Sequence, residues 1–169
     1  MSSMYLDTVH AVLDRLQRER LGPIVCGGAY ASLFPAHFLH RGVPNVLRLD
    51  GEQTLVRLAD ALRTGGSWQD IPSLSYQAGG RDVHNPVGAI PEDLAACGLP
   101  AVHCEDAVWI DHGRLISGDP QRNVLRYEVA ASRGCPFTCP YCCCVNLARL
   151  LRLQALWKKF LIAWRRLKR

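Results

Sequence analysis

The strongest constraint on this chain is an alternation near its start, where helix-like and strand-like patterns follow one another in an order that leaves few folds open. From Met4 to Arg20, Tyr5, Val9, Val12, Leu13 and Leu16 recur at helical spacing with charges between them, until Gly22-Pro23 ends the pattern. Pro23-Ile24-Val25-Cys26 then reads as a short buried strand running into Gly27-Gly28. Ala29 to Leu33 and Pro35 to Leu39 suggest a loop and a helix, and Val43 to Leu49 is a second strand. After a turn at Asp50-Gly51-Glu52, Gln53 to Arg63 puts Leu55, Leu58, Ala59 and Leu62 on one helical face, and Gly65-Gly66 stops it. The expected class is α/β: a partial Rossmann-like parallel sheet with helices on its faces. Ligands in such sheets sit at the carboxyl ends of the strands, where Gly27 and Gly28 fall. A plain strand-end turn that needs glycine's freedom in φ explains the same pair equally well.

Beyond Ile71 the texture changes. Ser73 to Gln77, Gly79-Gly80 and Arg81 to His84 predict a small hairpin, and prolines at 86, 91 and 100 keep the next stretch irregular. Val108-Trp109-Ile110 and Arg114-Leu115-Ile116 flank Asp111-His112-Gly113 as a second hairpin, and Tyr127 to Ala131 is a strand leading into a cysteine run.

Five of the eight cysteines lie between positions 135 and 144. A disulfide scaffold suits small exported proteins, and the charged helical start is not an export signal, so the cluster reads as metal ligands first. Cys26, Cys97 and Cys104 stand singly and read as small buried hydrophobes. Arg133-Gly134-Cys135-Pro136-Phe137-Thr138-Cys139-Pro140-Tyr141-Cys142 offers three thiolates at spacings of four and three. A cubane iron-sulfur cluster normally takes four, so three would leave one iron open for chemistry. Structural zinc remains an alternative because Cys143 and Cys144 add candidate ligands, although it usually takes two separated pairs. Buried thiols without metal are the third reading. On the iron-sulfur reading Cys143 and Cys144 are bystanders.

The cysteine loop resembles that of the radical S-adenosylmethionine (SAM) superfamily, with Tyr141 in the place of its aromatic residue before the last cysteine. The resemblance implies a 4Fe-4S cluster on Cys135, Cys139 and Cys142, with SAM chelated at the open iron and Tyr141 against its adenine. It also implies reductive cleavage of SAM to methionine and a 5'-deoxyadenosyl radical. Ile24 to Ser32, the turn at Asp50-Gly51-Glu52 and Ile71-Pro72-Ser73-Leu74-Ser75-Tyr76 occur in an order similar to the cobalamin-binding domain that precedes many such enzymes. That similarity implies cobalamin contact at Gly27 and Gly28. The family's Gly-Glu-Gly-Glu turn departs here to Leu49-Asp50-Gly51-Glu52, and no Asp-x-His-x-x-Gly motif supplies an axial imidazole.

The expected organisation is a partial cobalamin-binding-like α/β domain at 1-70, a hairpin connector at 71-123, and at 124-169 the first strand, cluster loop and helix of a radical SAM barrel. Only 27 residues follow Cys142, whereas such a barrel runs to roughly 200 residues or more. The chain therefore reads as a fragment lacking most of the catalytic barrel. The implied activity is methyl transfer or rearrangement in a cobalamin-dependent enzyme; the alternative is a non-catalytic iron-sulfur or metal-binding piece. Implied partners are the small-molecule cofactors and an electron donor such as a ferredoxin or flavodoxin.

The net charge of +5 comes from one end, since Arg149 to Arg169 carry eight of the twenty Lys and Arg and no acid. A global argument for nucleic acid therefore fails, and no nucleic-acid partner is expected. Leu147, Leu150, Leu151, Leu153, Leu156, Trp157, Phe160, Leu161, Trp164 and Leu167 give this tail a broad apolar face. It reads as a leftover barrel helix ahead of membrane or partner binding through a basic amphipathic helix. Without a spanning segment, a cytoplasmic location is expected.

Overall fold

The computed structural model describes residues 5–88, 104, 106–119, 135 and 137–150. The strand expected at Tyr127 to Ala131, Arg133-Gly134 and the basic tail beyond Leu150 lie outside the described residues. The chain divides into two compact units, Met1–Ile90 with Gly134–Arg169, and Pro91–Arg133.

The first unit is mixed α/β. Its elements run α1 (Leu6–Glu19), β1 (Val25–Cys26), α2 (Ala29–Leu33), α3 (Pro35–Leu39), β2 (Asn45–Leu47), α4 (Glu52–Thr64), β3 (Leu74–Ala78) and β4 (Arg81–His84). They form one four-stranded sheet in the order β1-β2-β3-β4. β1 and β2 pair in parallel, with Val25 opposite Asn45 and Cys26 opposite Val46. Parallel neighbours need a crossover, and α2 with α3 makes it.

Successive strand side chains point to opposite faces, and the two cores divide accordingly. Cys26 and Val46 face one side, where they pack with Leu13 of α1, Ala31 of α2, Phe38 and Leu39 of α3, and Val43. Leu47 and Leu74 face the other side with Leu58 of α4 and Ile71. Helices therefore cover both faces, as the alternation predicts. Phe38, Leu39, Leu58 and Leu74 are fully buried, and each such side chain contributes about 1.5–3 kcal/mol relative to exposure.

The hairpin expected at 73–84 forms and continues the sheet. β3 pairs antiparallel with β2, Leu74 lying opposite Leu47, and β4 pairs with β3. The reason is burial: Leu74 and Ser75 are fully enclosed, so the hairpin's first residues complete the core beside β2. Gly79 and Gly80 have φ of +57° and +75°, the geometry of a two-residue hairpin turn whose twist matches its strands.

The second unit contains β5 (Val108–Asp111) and β6 (Arg114–Ser117), the expected hairpin, with Asp111 paired opposite Arg114 and so in the strand and not the turn. Its turn, His112-Gly113, again holds both residues at positive φ. The last described element, α5 (Cys143–Leu150), belongs to the first unit and packs against α2.

Truncating Leu58 should remove the plug between α4 and the sheet. Leu58→Ala is expected to destabilise the first unit by about 2–5 kcal/mol, read as a lower urea midpoint at unchanged slope.

Candidate functional site

The carboxyl ends of β1 and β2 carry the two turns singled out in the sequence, and one buried hydroxyl joins them. Gly28 lies at φ +97°, ψ −177°, a conformation essentially restricted to glycine. Its carbonyl accepts the backbone N–H of Ser32 at 2.9 Å and the Ser32 hydroxyl at 2.8 Å. The same hydroxyl oxygen accepts the backbone N–H of Leu49 at 2.7 Å, across to the end of β2. Gly27 differs from its neighbour: a Cβ there would sit 3.7 Å from Leu47, an ordinary contact. The turn reading thus accounts for Gly28, while Gly27 has no steric need to be glycine.

Leu49 is itself at φ +65°. That left-handed conformation costs a non-glycine residue about 1–2 kcal/mol. Gly51 caps α4, its carbonyl accepting Leu55 N–H at 2.7 Å.

Beside these turns lies an open cavity of about 430 Å³ bordered by Tyr30, Ser32, Phe34, His37, Arg48 and His84, with Leu150 of α5 closing one side. His37 stacks on His10 with ring centroids 5.0 Å apart, and their Nε2 atoms are 2.8 Å apart. Burial, then the charges of His10 and Arg41, lower the pKa of His37, which favours its neutral form. The sequence reading missed this cavity. Its polar residues come from α2, α3, the end of β2 and β4, and no spacing in the chain announces that they meet.

Of the cysteines expected to hold a cluster, Cys135 is exposed while Cys139 and Cys142 are half-buried. All three thiols are free. Cys139-Pro140-Tyr141-Cys142 forms one turn, closed by Cys142 N–H donating to the Cys139 carbonyl at 3.1 Å. Cys142 immediately precedes α5. A hydrogen bond from the Cys144 backbone N–H, followed by one from the Cys144 thiol, lowers the Cys142 pKa. Cys144 is pushed up to about 11, chiefly by donating to Cys142. The positive end of a helix dipole favours thiolate at such a position.

Among the described residues the sulfurs that gather within 4.8 Å of one another are those of Cys142, Cys143 and Cys144. Cys135 and Cys139 stand outside that group. Free, accessible thiols on a turn that ends at a helix N-terminus fit an anionic thiolate-bound metal group. The packing of Cys142 to Cys144 also fits one soft ion. Tyr141 is 89% exposed, so its ring is open to a ligand. Among the described residues no helix is long and apolar enough to cross a membrane.

No protein-family model matches the chain. It is similar to an uncharacterized methyltransferase of Pyrococcus horikoshii, 28% identical over 121 residues that make up 70% of this chain and 24% of the relative. The chain thus spans about a quarter of the length of that curated relative. Among solved structures it is similar to the radical SAM methyltransferase TsrM of Kitasatospora setae, determined with cobalamin and a 4Fe-4S cluster bound. That match has 20% identity and a TM-score of 0.45, covering 69% of this chain and 18% of the other.

The two glycines separate cleanly by mutation. Gly28→Ala is expected to cost about 1–3 kcal/mol, whereas Gly27→Ala should stay within about 1 kcal/mol of the parent. Urea denaturation of both variants checks this. Ser32→Ala leaves two backbone groups without their side-chain partner and is expected to cost about 1–3 kcal/mol in the same assay.

Proposed function

We propose that this chain binds a 4Fe-4S cluster through Cys135, Cys139 and Cys142 and serves SAM-dependent radical methyl transfer within a cobalamin-dependent enzyme. The α/β sheet through β4 forms part of the cobalamin domain, the stretch that follows to residue 123 the connector, and 124–169 the start of the catalytic barrel. The observation that carries the reading is the Cys-x3-Cys-x2-Cys loop, whose last two cysteines share one hydrogen-bonded turn at the mouth of α5. The similar Pyrococcus protein, named a methyltransferase, supports methyl transfer over rearrangement.

A cluster held by three thiolates supplies one-electron cleavage of SAM at its open iron. The residues of this chain hold and orient. Cys139 and Cys142 lie on one backbone turn, and the helix amides behind Cys142 favour its thiolate. Tyr141 presents an exposed ring to stack on adenine. Gly27, which sterics do not require, leaves room for cobalamin at the strand ends. A ferredoxin or flavodoxin supplies the electron.

The gathering of Cys142, Cys143 and Cys144 favours one second reading, a single soft ion such as zinc in a non-catalytic piece. Metal analysis separates the two. Anaerobic reconstitution with iron and sulfide is expected to give about four irons per chain, with an electron paramagnetic resonance signal that SAM alters. Cys135→Ala, Cys139→Ala and Cys142→Ala should each abolish the signal, while Cys143→Ala and Cys144→Ala keep it. Zinc retained by the parent and lost in Cys144→Ala would establish the second reading.

A further inference from the structure

Arg48 lies just beyond β2, two residues past Val46 and therefore on the face that α1, α2 and α3 cover. Its backbone N–H donates to the Ser73 carbonyl at 2.9 Å, fixing where the side chain starts. The residue is only 8% exposed. One terminal nitrogen, Nη2, donates to the Asn85 carbonyl, but Nε is buried with no hydrogen-bond partner among the described residues. Buried guanidinium groups are normally paired with a carboxylate or another anion. Burial is the cause that lowers the Arg48 pKa, with no carboxylate contributing. The group nonetheless stays charged at neutral pH, since an arginine is not deprotonated in a protein.

This under-satisfied cation borders the 430 Å³ cavity. Among the described residues no Asp or Glu lines it, while Tyr30, His37 and His84 do. The Nδ1 of His84 lies 2.9 Å from the fully buried Ser75 hydroxyl, so the ring's Nε2 is the nitrogen left for a ligand. Apart from Ser32, whose hydroxyl is taken up by Gly28 and Leu49, the remaining walls are apolar, with Phe34 half-exposed. A bare inorganic ion would leave those walls in contact with water, whereas a cavity of this size takes a small organic molecule.

We propose that this cavity is a binding site for an organic oxyanion, a carboxylate or phosphate carried on an apolar ring, with Arg48 as its anchor. The oxyanion pairs with the Arg48 guanidinium where it borders the cavity, and the apolar body covers Phe34 and Leu150. Nothing in this assignment depends on the cysteine cluster.

The test follows the Nε–H resonance of Arg48 in the ¹⁵N-labelled full chain during titration with phenyl phosphate, benzoate and the neutral benzyl alcohol, each to about 10 mM. The expected result is a saturable shift with at least one of the two anions and none with the alcohol; the tighter anion tells phosphate from carboxylate. Arg48→Met should weaken binding of that anion at least about tenfold, and Arg48→Lys should retain part of it. If Arg48→Met fails to fold, the resonance of the parent protein still decides. An unmoved Nε–H with both anions, an equal response to benzyl alcohol, or undiminished binding in folded Arg48→Met would overturn the proposal.

Discussion

The buried hydroxyl of Ser32 is the interaction on which the site depends. It donates to Gly28 at the end of β1 and accepts from Leu49 at the end of β2, so the two strand-end turns are held at one spacing. Parallel pairing alone aligns strands but leaves the loops above them free to diverge. A single oxygen with two short hydrogen bonds, on a residue 2% exposed, removes that freedom. The left-handed strain at Leu49 persists because the surrounding sheet and helices over-determine its position.

The division of the core into two faces explains why this arrangement is rigid. Val46 and Leu47 are neighbours in sequence yet belong to different cores, one under α1 to α3 and one under α4. A shift of β2 by one residue would turn both faces inside out. The register that places Arg48 beside Ser73 is thereby set by apolar burial on both sides. Arg48 thus reaches the cavity because Val46 and Leu47 are where they are.

The cysteine loop works on a different principle, local rather than tertiary. Cys139 and Cys142 are the ends of one backbone turn of four residues, and α5 begins at the next position. The Cys142 pKa is lowered first by the amide of Cys144, two residues away. Such geometry is available to a short segment without help from the rest of the sheet.

What the sequence determined by itself follows from these two cases. Period and punctuation were enough for α1, β1, α3, β2, α4 and both hairpins, since hydrophobic spacing, glycine pairs and proline act within a few residues, whereas Ala29–Leu33, read as a loop, is the helix α2. The candidate ligand spacing of Cys135, Cys139 and Cys142 was likewise legible, being a property of one loop. The tertiary structure alone decided that the 73–84 hairpin joins the sheet, because that depends on which surface Leu74 and Ser75 find to bury against. It alone brought Arg48, His37, His84 and Tyr30 to one cavity, from elements up to 54 residues apart in the chain. It also distinguished Gly28, held by φ, from Gly27, which is not. Contacts at that range are selected by packing of whole faces, and no local pattern encodes them.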